Sequence, residues 1–229
     1  MRKLFAMVVM GALALTAVPA ISADLPQYPP PELPPVDYGL GGNFYLRGTV
    51  DLNMMWSKNA DYNCGCTVDI TDMAHGYSFG AGIGYETGGG FRTDATLDVI
   101  TNNGLSDGTY TMDMRTTLGM LNVYYDFGLD GMGGSAAGGW GAYVGAGAGA
   151  GYNQTSVTGP VATPDGNTFA PAGALMAGVT YDMGNIVTDV GYRMVYMPQI
   201  SNGDASAAPF YVNQNFIHEI RGTIRYRFN

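Results

Sequence analysis

The 229-residue sequence predicts an all-β chain that closes into an eight-stranded antiparallel transmembrane β-barrel with a polar, side-chain-filled interior. Three observations carry that prediction. Charged residues make up only 13% of the chain, about half the usual share in soluble domains. After the first two dozen residues, no apolar run approaches the roughly 18 residues that a spanning helix needs. From Asn43 onward, apolar and polar residues alternate with period two through eight segments. A helix cannot use that period, whereas a lipid-facing barrel wall requires it.

Residues 1–23 place Arg2 and Lys3 before an apolar run from Leu4 to Val18 and then small residues. This is the layout of a secretory signal peptide, with cleavage expected after Ala23 and Ala20 as the second choice. Its removal takes away two cations and no acid. Eight Lys+Arg then face 19 Asp+Glu, a formal charge of −11. That balance excludes a nucleic-acid partner, which needs a basic patch. Residues 24–42 begin "DLPQYPPPELPPVD", six prolines in fourteen positions, and read as a semi-rigid spacer. The barrel is assigned to 43–229.

The first strand is expected at 44–56, with Phe44, Leu46, Val50, Leu52, Met54 and Trp56 on one face. Tyr45, Arg47, Thr49, Asp51 and Asn53 share the other. The second, 75–86, sets Tyr77, Phe79, Ala81, Ile83 and Tyr85 against Ser78, three glycines and Glu86. The third, 91–101, opposes Phe91, Ala95, Leu97 and Val99 to Arg92, Asp94, Thr96 and Asp98. In the fourth, 110–127, Leu121, Val123, Tyr125 and Phe127 have one parity and Met112, Met114, Leu118 and Met120 the other. A bulge, or an extension beyond the membrane, is the expected cause. The fifth, 139–152, alternates Trp140, Ala142, Val144 and three further alanines with glycine. The sixth, 173–182, turns Leu175, Val179 and Tyr181 outward and Asp182 inward; the seventh, 185–197, opposes Ile186, Val190, Tyr192 and Met194 to Asp189 and Arg193. The last puts Glu219, Arg221, Arg225 and Arg227 opposite His218, Ile220, Ile224, Tyr226 and Phe228.

Short links at 86–90 and 183–185 alternate with polar stretches at 57–72, 153–171 and 198–214, the rhythm of turns at one end and loops at the other. A soluble barrel would alternate too, with its apolar face inside. The signal-like start decides for lipid, as do aromatics near strand ends: Trp56, Tyr85, Phe91, Phe127, Trp140, Tyr152, Tyr181, Tyr196, Tyr226 and Phe228. The charged face therefore points inward: Arg47, Asp51, Glu86, Arg92, Asp94, Asp98, Asp182, Asp189, Arg193, Glu219, Arg221, Arg225 and Arg227. Buried charges must pair, and eight strands leave room only for side chains. An ion-pair plug is expected. Inward glycines (80, 82, 84, 145, 147, 149) make room for the arginines.

Several motifs, in order along the chain, carry a resemblance: "FYLRG", "NVYYDFG", "YVGAGAGAGY", "MAGVTYDM", "DVGYR" and "HEIRGTIRYRF". The chain resembles small alphaproteobacterial outer-membrane barrels, often labelled "porin family", with an OmpA/OmpX-like eight-stranded fold. The resemblance implies an exported integral protein of the bacterial outer membrane, with a structural or surface-display role. It implies neither catalytic residues nor a cofactor. Its partners would be outer-membrane lipids and, through an aromatic C-terminal signal at Tyr226 and Phe228, the barrel-assembly machinery. Asn229 after Phe228 departs from the usual aromatic terminus.

Cys64 and Cys66 stand alone in "DYNCGCTVDI". Export to an oxidising compartment favours a local disulfide, which Gly65 would permit. A metal site with Asp69, Asp72 and His75 matches no standard spacing, and an intermolecular disulfide is the third option. His218 and Glu219 suggest acid–base chemistry, but neighbours on a strand face opposite ways and no serine shares the His218 face. A structural barrel is expected first, a narrow pore for small polar solutes second and a lipid-modifying enzyme third. Loops 57–72, 153–171 and 198–214 would present any external recognition surface.

Overall fold

The computed structural model describes residues 42–62, 64–129, 138–160, 164–203, 206 and 209–228. The expected signal peptide, the spacer apart from Gly42, and Asn229 lie outside the described residues. Among the described residues ten strands form: β1 (Asn43–Trp56), β2 (Asn59–Tyr62), β3 (Thr67–Asp69), β4 (Ala74–Glu86), β5 (Phe91–Ser106), β6 (Thr111–Gly128), β7 (Gly139–Thr158), β8 (Gly166–Asp182), β9 (Ile186–Ser201) and β10 (Phe210–Phe228). Eight of them, β1 and β4 to β10, pair antiparallel with their sequence neighbours, and β1 pairs with β10 to close the ring. Closure leaves no open sheet edge for lipid to meet. The remaining two, β2 and β3, make a hairpin that extends β10 above the ring at Phe210–Asn213.

Alternation in sequence becomes alternation of side. In β1 the odd positions from Tyr45 to Met55 are buried, while Phe44, Leu46, Val50, Leu52, Met54 and Trp56 are exposed. The exposed residues form an apolar band around the ring, Leu52 being 71% exposed and Leu121 70%. Two aromatic belts bound that band. Phe44–Tyr85, Phe91–Tyr125, Trp140–Tyr181 and Tyr226–Phe228 contact one another at the short-turn end, and Trp56–Phe216, Tyr196–Phe216 and Tyr152–Phe169 do so towards the loop end. An apolar wall between amphipathic belts is the surface that a bilayer solvates.

The strands outrun the sequence reading at the loop end. Most of the described residues within 153–171 and 198–214 are ladder, since β7 runs to Thr158, β8 starts at Gly166, β9 ends at Ser201 and β10 starts at Phe210. Pairs such as Asn153↔Thr168 and Gln154↔Asn167 continue the pairing. About 10 residues suffice to cross the membrane, so a 20-residue strand such as β7 carries its ladder beyond it. There the outward side chains turn polar, and the alternation that marked the spanning part fades.

Of the two causes expected in the fourth strand, the bulge is absent, while the 18-residue β6 does extend beyond the spanning part. From Thr111↔Thr158 to Gly128↔Gly141, β6 holds one unbroken register with β7. The irregularity falls on β5, between Asn102 and Leu105, where Gly104 takes a positive φ of 85°. Met112, Met114, Leu118 and Met120 share the inner side with Asn122, Tyr124 and Asp126. Parity never changes. The inner face itself changes from polar to apolar halfway along the barrel.

Candidate functional site

The half of the interior nearer the short turns is built from charges that every ring strand but β7 delivers. Arginines 47, 92, 193, 221, 225 and 227 meet Asp51, Glu86, Asp94, Asp98, Asp126, Asp182, Asp189 and Glu219. All thirteen charged positions singled out in the sequence lie in this network.

The contacts form three knots. Nearest mid-barrel, the fully buried Arg193 donates to Asp98 at 2.7 Å and to Glu219, with Asp51 at 3.8 Å. Arg221 approaches the other Asp51 oxygen at 3.4 Å, and the Ser78 hydroxyl donates to Asp51 at 3.0 Å. Below it, Asp94 gathers Arg47 at 2.7 Å, the Tyr45 hydroxyl at 3.0 Å and the Asn122 amide at 2.8 Å. Arg92 grips Asp126 with two nitrogens at 2.8 and 3.0 Å and lies 3.9 Å over the Tyr124 ring. Forked geometry of this kind gives the strongest charge-assisted pairs. At the short-turn end Arg227 joins Glu86 and Asp182, the latter at 2.5 Å. Arg225 stands 3.6 Å from Glu86 and 3.7 Å from Asp189.

Glycine makes the space. A Cβ on Gly80 would sit 1.8 Å from an Asp98 carboxylate oxygen, and one on Gly147 would sit 2.1 Å from the Asn122 amide oxygen. Asp126, Asn122, Tyr124 and Tyr143 join the network although the sequence analysis does not single them out. With Val123, Tyr125 and Phe127 outward, the same parity turns Asn122, Tyr124 and Asp126 inward, so the signal was present in the alternation.

Towards the loops the interior becomes mainly apolar, with the hydrogen-bonded pairs Thr116–Asn153 and Ser57–Asn215 buried among it. Met55, Ile100, Leu105, Met112, Met114, Leu118, Met120, Met176, Val195, Met197, Ile200, Phe210, Val212 and Ile217 pack into one buried cluster. The amides of Asn53 and Asn102 are buried near this boundary, and neither has a protein partner.

At the loop end, Cys64 and Cys66 are bonded to each other, with Cα atoms 5.3 Å apart, at the tip of the β2–β3 hairpin. The thiolate metal site and the intermolecular bridge weighed from sequence are therefore replaced by a bond within one loop. Tyr62 donates its hydroxyl to Asp107 at 2.7 Å, and the backbone N–H groups of Thr109 and Tyr110 donate to the same carboxylate. Burial pushes the Asp107 carboxyl up, but these donors outweigh it and hold the group below its usual range. Burial, followed by the Asp107 hydrogen bond and charge, pushes the Tyr62 phenol up. His218 stands on the lipid side of β10, its ring against Tyr192 and its Nδ1 2.5 Å from the Tyr192 hydroxyl.

No family model matches the chain, and no curated protein does. Among solved structures, Neisserial surface protein A is similar at 20% identity, with a TM-score of 0.54 over 82% of this chain and 99% of that one. A major outer-membrane protein of Thermus thermophilus scores 0.48 at 12% identity over 82% and 99% of the two chains. The outer-membrane protein OprG of Pseudomonas aeruginosa scores 0.45 at 16% over 82% and 96%. What the first likeness shows is the fold: one antiparallel eight-stranded barrel in each.

Proposed function

We propose that this chain is an integral outer-membrane barrel that stabilises the envelope and displays its loop end, without an open pore and without catalysis. One observation carries the reading. An ion travelling along the axis meets arginines and carboxylates already paired with one another, then a layer of methyl and thioether groups. Breaking buried pairs costs several kcal/mol each, and an apolar constriction resists wetting. The apolar band and its aromatic belts support lipid as the surrounding solvent, and they support the outer membrane as the location of a closed barrel.

Outer-membrane lipids are then the first partners. Tyr226 and Phe228 at the end of β10 would be read by the assembly machinery, and segments 57–72, 153–171 and 198–214 would meet any external partner. A narrow pore for small polar solutes is the second reading, favoured by the unpartnered amides of Asn53 and Asn102 at the tier boundary. Planar-bilayer conductance decides between them, with heat-modifiable gel mobility verifying that the barrel is intact. A folded, silent barrel supports the closed reading. Steady conductance that rises with salt overturns it.

A further inference from the structure

We propose that the Cys64–Cys66 disulfide is a thiol-exchange site that accepts neutral or cationic thiols. Its placement is the first reason. Cys64, Gly65 and Cys66 are all exposed at the outermost turn of the hairpin, and Gly65 projects into open space at a φ of +73°.

Redundancy as a staple is the second. The bridge encloses only the link from Cys64 to Cys66, and the stabilisation a disulfide gives through chain entropy grows with the loop it closes. The turn is closed without it. Tyr62 N–H donates to the Cys66 carbonyl at 3.0 Å and Gly65 N–H to the Tyr62 carbonyl at 2.9 Å. The ladder continues below with Asp61↔Thr67, Ala60↔Val68 and Asn59↔Asp69, and Thr67 donates its hydroxyl to Asp61 at 2.6 Å. The hairpin therefore keeps its shape when the sulfur–sulfur bond opens.

The third reason is the local charge, which sets the class of thiol. Asp61 sits next to the tip, Asp107 accepts the Tyr62 hydroxyl beside it, Asp69 and Asp72 lie towards the hairpin's base, and Lys58 is the one cation among the described residues of this hairpin. An approaching anionic thiolate is repelled, and a thiol carrying a compensating positive charge is not.

The chemistry needs no outside oxidant. A partner thiolate attacks one sulfur, the Cys64–Cys66 bond breaks, and its electron pair leaves on the other sulfur, which takes a proton from water. The product is a mixed disulfide plus one free thiol on the hairpin. A partner dithiol continues: its second thiolate attacks the mixed disulfide, leaves oxidised, and delivers two electrons to the cysteine pair.

The test uses the folded protein in micelles, with intactness read by heat-modifiable mobility. Cysteamine, 2-mercaptoethanol and glutathione are added at equal thiolate concentration, the reaction is quenched in acid, and the adduct is measured by intact mass. Adducts should form on the folded barrel. Cysteamine should react at least about threefold faster than glutathione, by a margin that shrinks with salt. The Cys64→Ser/Cys66→Ser variant should give no adduct and retain full heat-modifiable mobility. Reaction only after boiling would overturn the proposal and leave an inert bridge. Equal rates for the three thiols would overturn the charge selectivity.

Discussion

Arg193 is the side chain on which the charged tier turns. It is fully buried and serves Asp98, Glu219 and Asp51, which arrive on three different strands. Arg193→Met keeps much of the stem and removes the guanidinium, leaving three carboxylates without their shared cation. Removing one member of a buried pair typically costs ~3–5 kcal/mol, because the survivor cannot return to water. Arg221 still approaches Asp51 at 3.4 Å, so the loss concentrates on Asp98 and Glu219. With a urea dependence of roughly 2 kcal/mol/M, the unfolding midpoint should fall by about 1.5–2.5 M. The assay is urea unfolding in micelles, followed by heat-modifiable mobility and tryptophan fluorescence. Adding Glu219→Gln to Arg193→Met should recover about 1–2 kcal/mol, since one stranded charge disappears. A loss under about 1 kcal/mol in the single variant would refute the reasoning. It would mean that water reaches this knot and screens it, which would advance the pore reading.

Arg225 makes a graded comparison. Its two pairs are longer, 3.6 and 3.7 Å, so Arg225→Met should cost roughly 1–3 kcal/mol less than the Arg193 change in the same urea assay. Gly80→Ala drives a Cβ against Asp98 and should cost about 1–3 kcal/mol by overpacking, read by the same midpoint. Leu52→Arg, on the lipid face, should cost ~2–4 kcal/mol on folding into bilayers, whereas Gln154→Arg beyond the belt should stay within about 1 kcal/mol. The Asp107 carboxyl is depressed in the folded state, so its contribution is present above the unfolded value near ~3.9 and is lost as pH falls through the folded one. Acidification should therefore loosen the turn at Asp107–Tyr110, seen as shifted Thr109 and Tyr110 amide resonances, and Asp107→Asn should abolish the effect.

How much of this was legible depended on which solvent each residue meets. Between the belts, lipid outside and charge inside give every strand a strong contrast, so the parity of Arg47, Asp94, Arg193 and Arg225 could be read directly. Beyond the loop-side belt the outer solvent is water and the inner face is mainly apolar. There Gln154 and Asn167 look like loop residues and Met112 and Met114 look like lipid-facing ones. The contrast inverts without a break in register, and a reading that holds outward to mean apolar inserts a bulge that is absent. Asp126 was legible by the same rule, because Tyr125 and Phe127 outward put it inward. Pairing partners were not legible at all. That Arg193 reaches Asp98, 95 positions away, follows from ring closure and tilt and has no local signature.

The charge balance of the whole chain takes on a meaning once it is divided by side. Six of the eight cations beyond residue 23 are inside the barrel, where they face eight carboxylates and leave a small negative excess. The two that remain, Lys58 and Arg115, are exposed at the loop end. Asp61, Asp69, Asp72, Asp107, Asp113 and Asp165 accompany them among the described residues there. The low cation content therefore does not describe an interior short of counter-ions. It describes a loop end stripped of them, because the arginines are committed to holding the wall together. Such a surface repels anionic partners, anionic thiols included, over about a Debye length, ~8 Å at physiological salt. Partners that dock there by charge must be cationic, or must bring a divalent ion with them.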